Sequence, residues 1–321
     1  MNEQSTTSEA SAVQWLLDSD PSIRWQAMRD LVATPAEVGA AERSRVGAEG
    51  WGVQILARQR RDGNWGDGIT TPHWRSTLYS LLLLRQMGLD PMSEPARRAV
   101  GLVRDRVTWG PEWGNAPFFE GEVEPCINGG VLALVGYFGE ASEGLVDRLV
   151  SEQLKDGGWN CEAERGSVRS SFHTTICVLE GLLEYEKARG ARAAVTEARA
   201  RAHEYLLERR LFRRLSSGEV IDPRKGSQSM PSWMRFTFPT MWQYDVLRGL
   251  DYLRGAGVKP DERVAEAVGL VAERRQPDGR WLLDQLPRDA FDADLEGGPG
   301  QPSRWITLRA LRVLDWYSTG H

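Results

Sequence analysis

Cysteine is scarce in this sequence. Cys126, Cys161 and Cys177 are the three among 321 residues, too few and too scattered for a disulfide framework. Long apolar runs are missing as well: the longest purely aliphatic stretch is residues 81–84, far short of the roughly 18 to 20 residues a membrane-spanning helix needs. Residues 1–11 are polar and acidic, without the basic start and apolar middle of a signal peptide, so the expected location is the cytoplasm, with the thiols reduced. Basic charge is not in excess. The formal net charge is -5, and the arginines between 199 and 214 are interleaved with Glu204 and Glu208 at helical spacing, as on a solvated helix face. Nucleic acid is therefore not an expected partner. No nucleotide-binding glycine loop and no convincing strand pattern is present.

What is present is an ordinary globular balance, 41% hydrophobic and 26% charged, with thirteen tryptophans. The apolar residues recur at helical spacing. Residues 12–17 and 22–32 read as two short helices broken by Asp20 and Pro21, and residues 36–48 as a third. From Trp51 onward a unit of amphipathic helix, turn, polar loop and apolar helix repeats five times. Its apolar helices are expected at residues 71–87, 126–138, 173–187, 239–255 and 304–317, with a long charged helix at 193–214 before the fourth. Segments such as 78–84 and 131–135 are apolar nearly all round and call for burial on most sides. The partner helices carry a single apolar stripe, as Val100, Val103 and Val107 do. An inner ring of buried helices inside an outer ring of amphipathic ones is an all-α fold, an α/α barrel or toroid of five to six helical hairpins. Residues 1–10 are expected to be disordered and 11–320 to form one domain, with an N-terminal hairpin at 11–50 and the repeats at 51–318.

Three of the units share a turn, Gln-x-x-Asp-Gly-x-Trp, at residues 59–65 and 153–159 and, one residue shorter, at 276–281. Gly63, Gly157 and Gly279 suit the left-handed conformation that ends a helix. Each Trp is expected to pack on the neighbouring repeat and offer its indole N–H to a carbonyl. The motif resembles the QW repeat of squalene-hopene and oxidosqualene cyclases and the related repeat of protein prenyltransferase β subunits. The resemblance covers residues 50 to 318 and implies the α/α toroid those families share.

Cys126 opens one apolar helix, His173 opens the next, and Cys161 lies in the loop before His173. Thiolate, imidazole and carboxylate are the ligands zinc takes, at about 2.0 to 2.3 Å. In an α/α barrel the starts of neighbouring inner helices face one mouth, so these residues are expected close together. The segment from Phe172 to Leu182 is similar to the prenyltransferase stretch whose His binds zinc, and Glu124-Pro125-Cys126 stands where that family has Asp-x-Cys. The resemblance implies Glu124, Cys126 and His173 as ligands; Cys161 is a further candidate, and zinc a candidate cofactor. Cys177, inside its helix, reads as a small buried hydrophobe.

The sequence departs from both families. Where prenyltransferases hold a diphosphate with basic residues, this chain has Glu120, Glu122 and Glu124. The acidic tetrad of the cyclases is absent; the nearest acids lie in the loop from Asp289 to Glu296, which reads as a charged lid. Asp245, expected one turn into an inner helix, is the candidate acid, with His173 beside it. Trp74, Trp233, Trp242 and Trp305, with His73, Asn128 and Tyr244, are expected to line an apolar, aromatic cavity at the inner-helix N-terminal mouth. The expected function is a cyclase-like or prenyltransferase-like enzyme for an isoprenoid or other small hydrophobic molecule. The alternatives are a non-catalytic barrel binding a hydrophobic ligand with a structural metal, and a polysaccharide-active α/α barrel.

Overall fold

The protein is described by a computed structural model at residues 3–66, 68–70, 75–140, 142–221, 233–286, 295 and 297–320, with side chains from residue 8 onward. Among the described residues helices make the frame, and extended pairing is confined to isolated bridges such as Thr108 with Pro117. The chain alternates between two rings. The outer ring holds α1 (Glu3–Leu17), α4 (Gly50–Ala57), α6 (Glu94–Arg106), α8 (Glu143–Ser151), α10 (Ala193–Glu208) and α12 (Ala265–Glu273). Alternating with them are the inner helices α2 (Pro21–Asp30), α5 (Thr77–Met87), α7 (Pro125–Phe138), α9 (Phe172–Arg189), α11 (Val246–Gly255) and α13 (Arg304–Thr319); α3 (Ala36–Ser44) joins the first two hairpins. This is the all-α barrel of hairpins that the repeat pattern predicts, with six of them.

Burial follows the sequence pattern. Residues 129–135 of α7 and 305–313 of α13 are buried without interruption, whereas α8 buries only Leu145, Val146 and Leu149. The first hairpin completes the ring. Trp25 in α2 donates its indole N–H to the Met87 carbonyl at 2.8 Å, and on the other side Asp30 pairs with Arg312 of α13 at 2.7 Å.

The repeated turn has the same geometry three times. The indole N–H groups of Trp65, Trp159 and Trp281 donate to Ile55, Leu149 and Val271, each ten residues back in the same unit's outer helix. Their backbone N–H groups donate to Thr77, Thr175 and Thr307 at the inner-helix starts. The indole N–H groups thus find a carbonyl as expected, and the bond ties each unit to itself. Reach to the next unit comes from the glutamine and the glycine: Gln59 and Gln153 donate to Ala99 in α6 and Ala198 in α10, and Gly157, at φ 95°, lies against Arg201 and Tyr205 of α10 where no Cβ fits.

Two boundaries differ from the pattern. α1 begins at Glu3, whereas the pattern starts the first helix at residue 12 and leaves 1–10 disordered. α11 begins at Val246 instead of residue 239, because Met241 takes φ 50° and Asp245 caps the helix by accepting the Arg248 amide. Asp245 therefore stands at the helix start and not one turn in. α10 likewise ends at Glu208, short of residue 214, where Arg210 and Leu211 turn to positive φ.

Candidate functional site at the inner-helix mouth

The closest helix pair in the ring is α7 with α9. Gly129 sits so near the Cys177 backbone that a Cβ would meet it at 2.5 Å, and Gly181 is similarly set against Gly129. That approach draws the two helix starts together. Glu124 and Cys126 enter from α7, and the short 3-10 turn from Cys161 to Arg165 folds over from the loop before α9. Glu124, Cys126 and Cys161 then hold one carboxylate oxygen and two sulfurs within 4.8 Å of one another.

The two thiols interact. Cys161 is held below the ordinary thiol value by the hydrogen bond it receives from Cys126, by the Thr174 hydroxyl at 3.4 Å and by the Cys126 amide. Cys126 is correspondingly raised, as the thiol that keeps the shared proton, with burial adding to the effect. Its sulfur also lies 3.6 Å from the Glu124 carboxylate. Two sulfurs and a carboxylate, one of the sulfurs inclined to ionise, are a donor set that fits zinc. Cys177 belongs to another environment: burial pushes its thiol up to about 12.

His173 is turned away from this cluster. Its Nδ1 accepts the Tyr244 amide at 2.8 Å and its Nε2 lies 3.3 Å from the Trp233 indole nitrogen. Trp242 packs edge-on at 5.0 Å between centroids. Burial, with some repulsion from Arg248, brings the imidazole down to about 4, so it is neutral at physiological pH. The ring thus orders the loop carrying Trp233, Trp242 and Tyr244, and Phe172 fills the space behind with Tyr244 at 5.1 Å. His173 and Trp242 remain half-buried, so part of this aromatic surface stays open.

The other expected site residues fall in different places. Asp245 is buried, its Oδ1 accepting the Arg248 amide at 2.7 Å and its Oδ2 the Thr237 amide at 3.3 Å; burial raises its carboxyl above the usual range. Asn128 is buried with both ends of its amide on the backbone of Glu122, which it clasps to α7. His73, Trp74 and the acidic residues 289–294 and 296 lie outside the described residues. Two groups that spacing does not reveal also belong here. Thr174 bonds Cys161, and Glu122 is buried with Oε1 lacking a hydrogen-bond partner and its carboxyl raised by burial.

The axial cavity differs from the expected apolar, aromatic one. It measures about 400 Å³ and extends to the inner helices' C-terminal ends, at Gly88 and Gly255. Trp305 lines it, stacked on Phe238 at 4.4 Å, but charged side chains share the wall with apolar ones, Arg85, Glu180, Arg248, Asp251 and Arg309 among them. The physical reason is pairing across the ring: Arg248 of α11 holds Glu180 of α9 through two bonds of 2.8 and 2.9 Å, which lets charges stand inside an otherwise apolar barrel.

Among solved structures, the chain is similar to the type II terpene cyclase MstE from Scytonema. The unliganded enzyme aligns at a TM-score of 0.47 and 17% identity over 99% of each chain. A variant bound to its product, merosterolic acid A, aligns at 0.48 and 16%, over 99% of this chain and 98% of that one. A second variant, bound to the substrate geranylgeranyl dihydroxybenzoate, aligns at 0.47 and 16% with the same coverage. No protein-family model matches the sequence, and no curated protein matches it.

Proposed function

We propose that the chain is a zinc-dependent enzyme, terpenoid cyclase-like or prenyltransferase-like, acting on an isoprenoid or other hydrophobic substrate at the inner-helix mouth. The observation that supports this is the convergence of Glu124, Cys126 and Cys161 within 4.8 Å. Three protein donors leave a four-coordinate ion one position for substrate or water, the arrangement of catalytic and not structural zinc. Zinc in such a site supplies a Lewis acid for a substrate oxygen or sulfur. The chain's own residues do the rest: Thr174 orients the Cys161 sulfur, and the half-buried faces of Trp242 and His173 offer an apolar wall to a hydrocarbon chain and a quadrupole to developing positive charge.

Metal analysis of protein purified without an affinity tag tests the site. One equivalent of zinc is expected, lost in Cys126→Ser and in Cys161→Ser; no bound zinc and a melting temperature indifferent to chelator would remove the proposal. Incubation of the zinc-loaded protein with a panel of isoprenoids, read by mass spectrometry, then tests turnover.

A second reading, a hydrophobic-ligand-binding barrel without catalysis, draws support from Asp245 and His173. Both accept backbone amides, as structural residues do. Ligand bound without product by the zinc-loaded protein is the outcome that favours it.

A further inference from the structure

The axial cavity carries seven cationic side chains against three carboxylates among the described residues. Part of the excess has a local cause. The inner helices run parallel, and cations near a helix C-terminus are stabilised by the carbonyls there; Arg29, Arg85 and Lys187 lie in the last turns of α2, α5 and α9. Arg248 is matched in full by Glu180 and by the carbonyls of Met241 and Gln243.

Arg309 and Arg312 are not so explained, since they sit in the second and third turns of a helix that runs on to Thr319. Around them Asp251 is approached by Arg254 at 3.0 Å, Arg309 at 3.5 Å and Arg312 at 3.9 Å, while Asp30 is shared between Arg29 at 2.6 Å and Arg312 at 2.7 Å. Four guanidinium groups thus share two carboxylates. Arg309 is 8% exposed and faces the cavity; its one ion-pair partner among the described residues is Asp251 at 3.5 Å, a carboxylate it shares with Arg254 and Arg312. Arg43, which also lines the cavity, bonds the Gly88 carbonyl and the Tyr137 hydroxyl and has no carboxylate partner among the described residues.

We propose that this cavity binds a multivalent oxyanion, a phosphate or diphosphate group, anchored by Arg309 with Arg43 and Arg312 beside it. Guanidinium forks match phosphate oxygens in pairs, and exclusion of water strengthens the attraction. Burial and the neighbouring Arg254 and Arg29 bring Arg312 down to about 10, as in a cluster short of negative charge. Trp25, Phe238 and Trp305 leave an apolar wall against which an organic group attached to the phosphate packs. The site does not rest on the thiol and carboxylate cluster at the mouth.

Titration of the full chain with inorganic diphosphate, followed by melting temperature and tryptophan fluorescence against sodium chloride of equal ionic strength, tests the proposal. Saturable binding with a dissociation constant at or below about 1 mM is expected. Arg309→Gln should weaken it at least about tenfold, while leaving the ligand-free protein as stable as before or more so, because an under-compensated buried charge is removed. An alkyl diphosphate binding more tightly than inorganic diphosphate assigns the natural ligand to organic phosphates, and equal binding assigns it to the free oxyanion. No saturable effect beyond chloride overturns the proposal, and so does unchanged binding in Arg309→Gln. If that variant does not fold, the titration of the unmodified protein decides alone.

Discussion

The two ends of the inner ring bury polar groups by opposite means. At the mouth burial favours the neutral forms: His173 is lowered to about 4 and Asp245 and Glu122 are raised, while the two thiols perturb each other, Cys161 downward and Cys126 upward. Along the axis they are kept charged. Burial opposes ionisation there too, but Arg248 and Arg85 hold Glu180 below the usual carboxylate range, and Arg254, Arg312 and Arg309 do the same for Asp251. Desolvation opposes charge in both regions; what differs is that the axial carboxylates have arginines close enough to outweigh it. A soft-donor mouth suits metal and hydrocarbon, and a charged axis suits a charged ligand.

The largest effect that would break this contrast is loss of a partner on the axis. Glu180→Gln leaves Arg248 buried without its carboxylate, and about 3 to 5 kcal/mol should be lost in chemical denaturation. A loss under about 1 kcal/mol would show that carbonyls alone satisfy the guanidinium. Next in size is the acid response of the mouth. His173 takes up a proton near 6.5 when unfolded but only near 4 when folded. The unfolded chain therefore binds more protons between those values, and stability should fall as pH drops from about 6.5 to 4, by up to about 3 kcal/mol at 1.36 kcal/mol per unit. His173→Gln should flatten that slope in a pH series of denaturation curves; an unchanged slope would place the titrating group elsewhere. The smallest effect concerns Glu122. Its raised carboxyl makes the folded state bind the extra proton, so its ionisation costs stability as pH rises above 4.5. Glu122→Gln should gain roughly 0.5 to 1 kcal/mol at neutral pH and nothing below pH 4, and a loss at neutral pH would mean that the ionised form is needed.

The frame was legible because it is local and repeated. Gln153 to Trp159 is bonded as Gln59 to Trp65 is, so one turn read correctly locates the others, and the helices it separates follow from their periodicity. Cys126 and Cys161 were legible as candidates from their place in the repeat, and Glu124 from the resemblance to the prenyltransferase segment. The orientation of His173 was not, because it is set by the Tyr244 amide, 71 residues away on a loop whose turn at Met241 no helical pattern shows. The charged axis was hidden for a similar reason. Arg248, Arg309 and Arg312 interrupt apolar helices, and that interruption is the one signal that pointed inward, but their partners Glu180, Asp251 and Asp30 are distant in sequence.

The last repeated turn has no later unit to lean on, and it rests on the first helix. Gly279 is set against Ser8 and Ala12 of α1, Arg275 reaches Glu9 at 3.4 Å, and Arg280 covers the Trp15 ring at 4.3 Å. The first helix and the last repeated turn are held as neighbours, so this seam is the one that turns a row of hairpins into a closed ring.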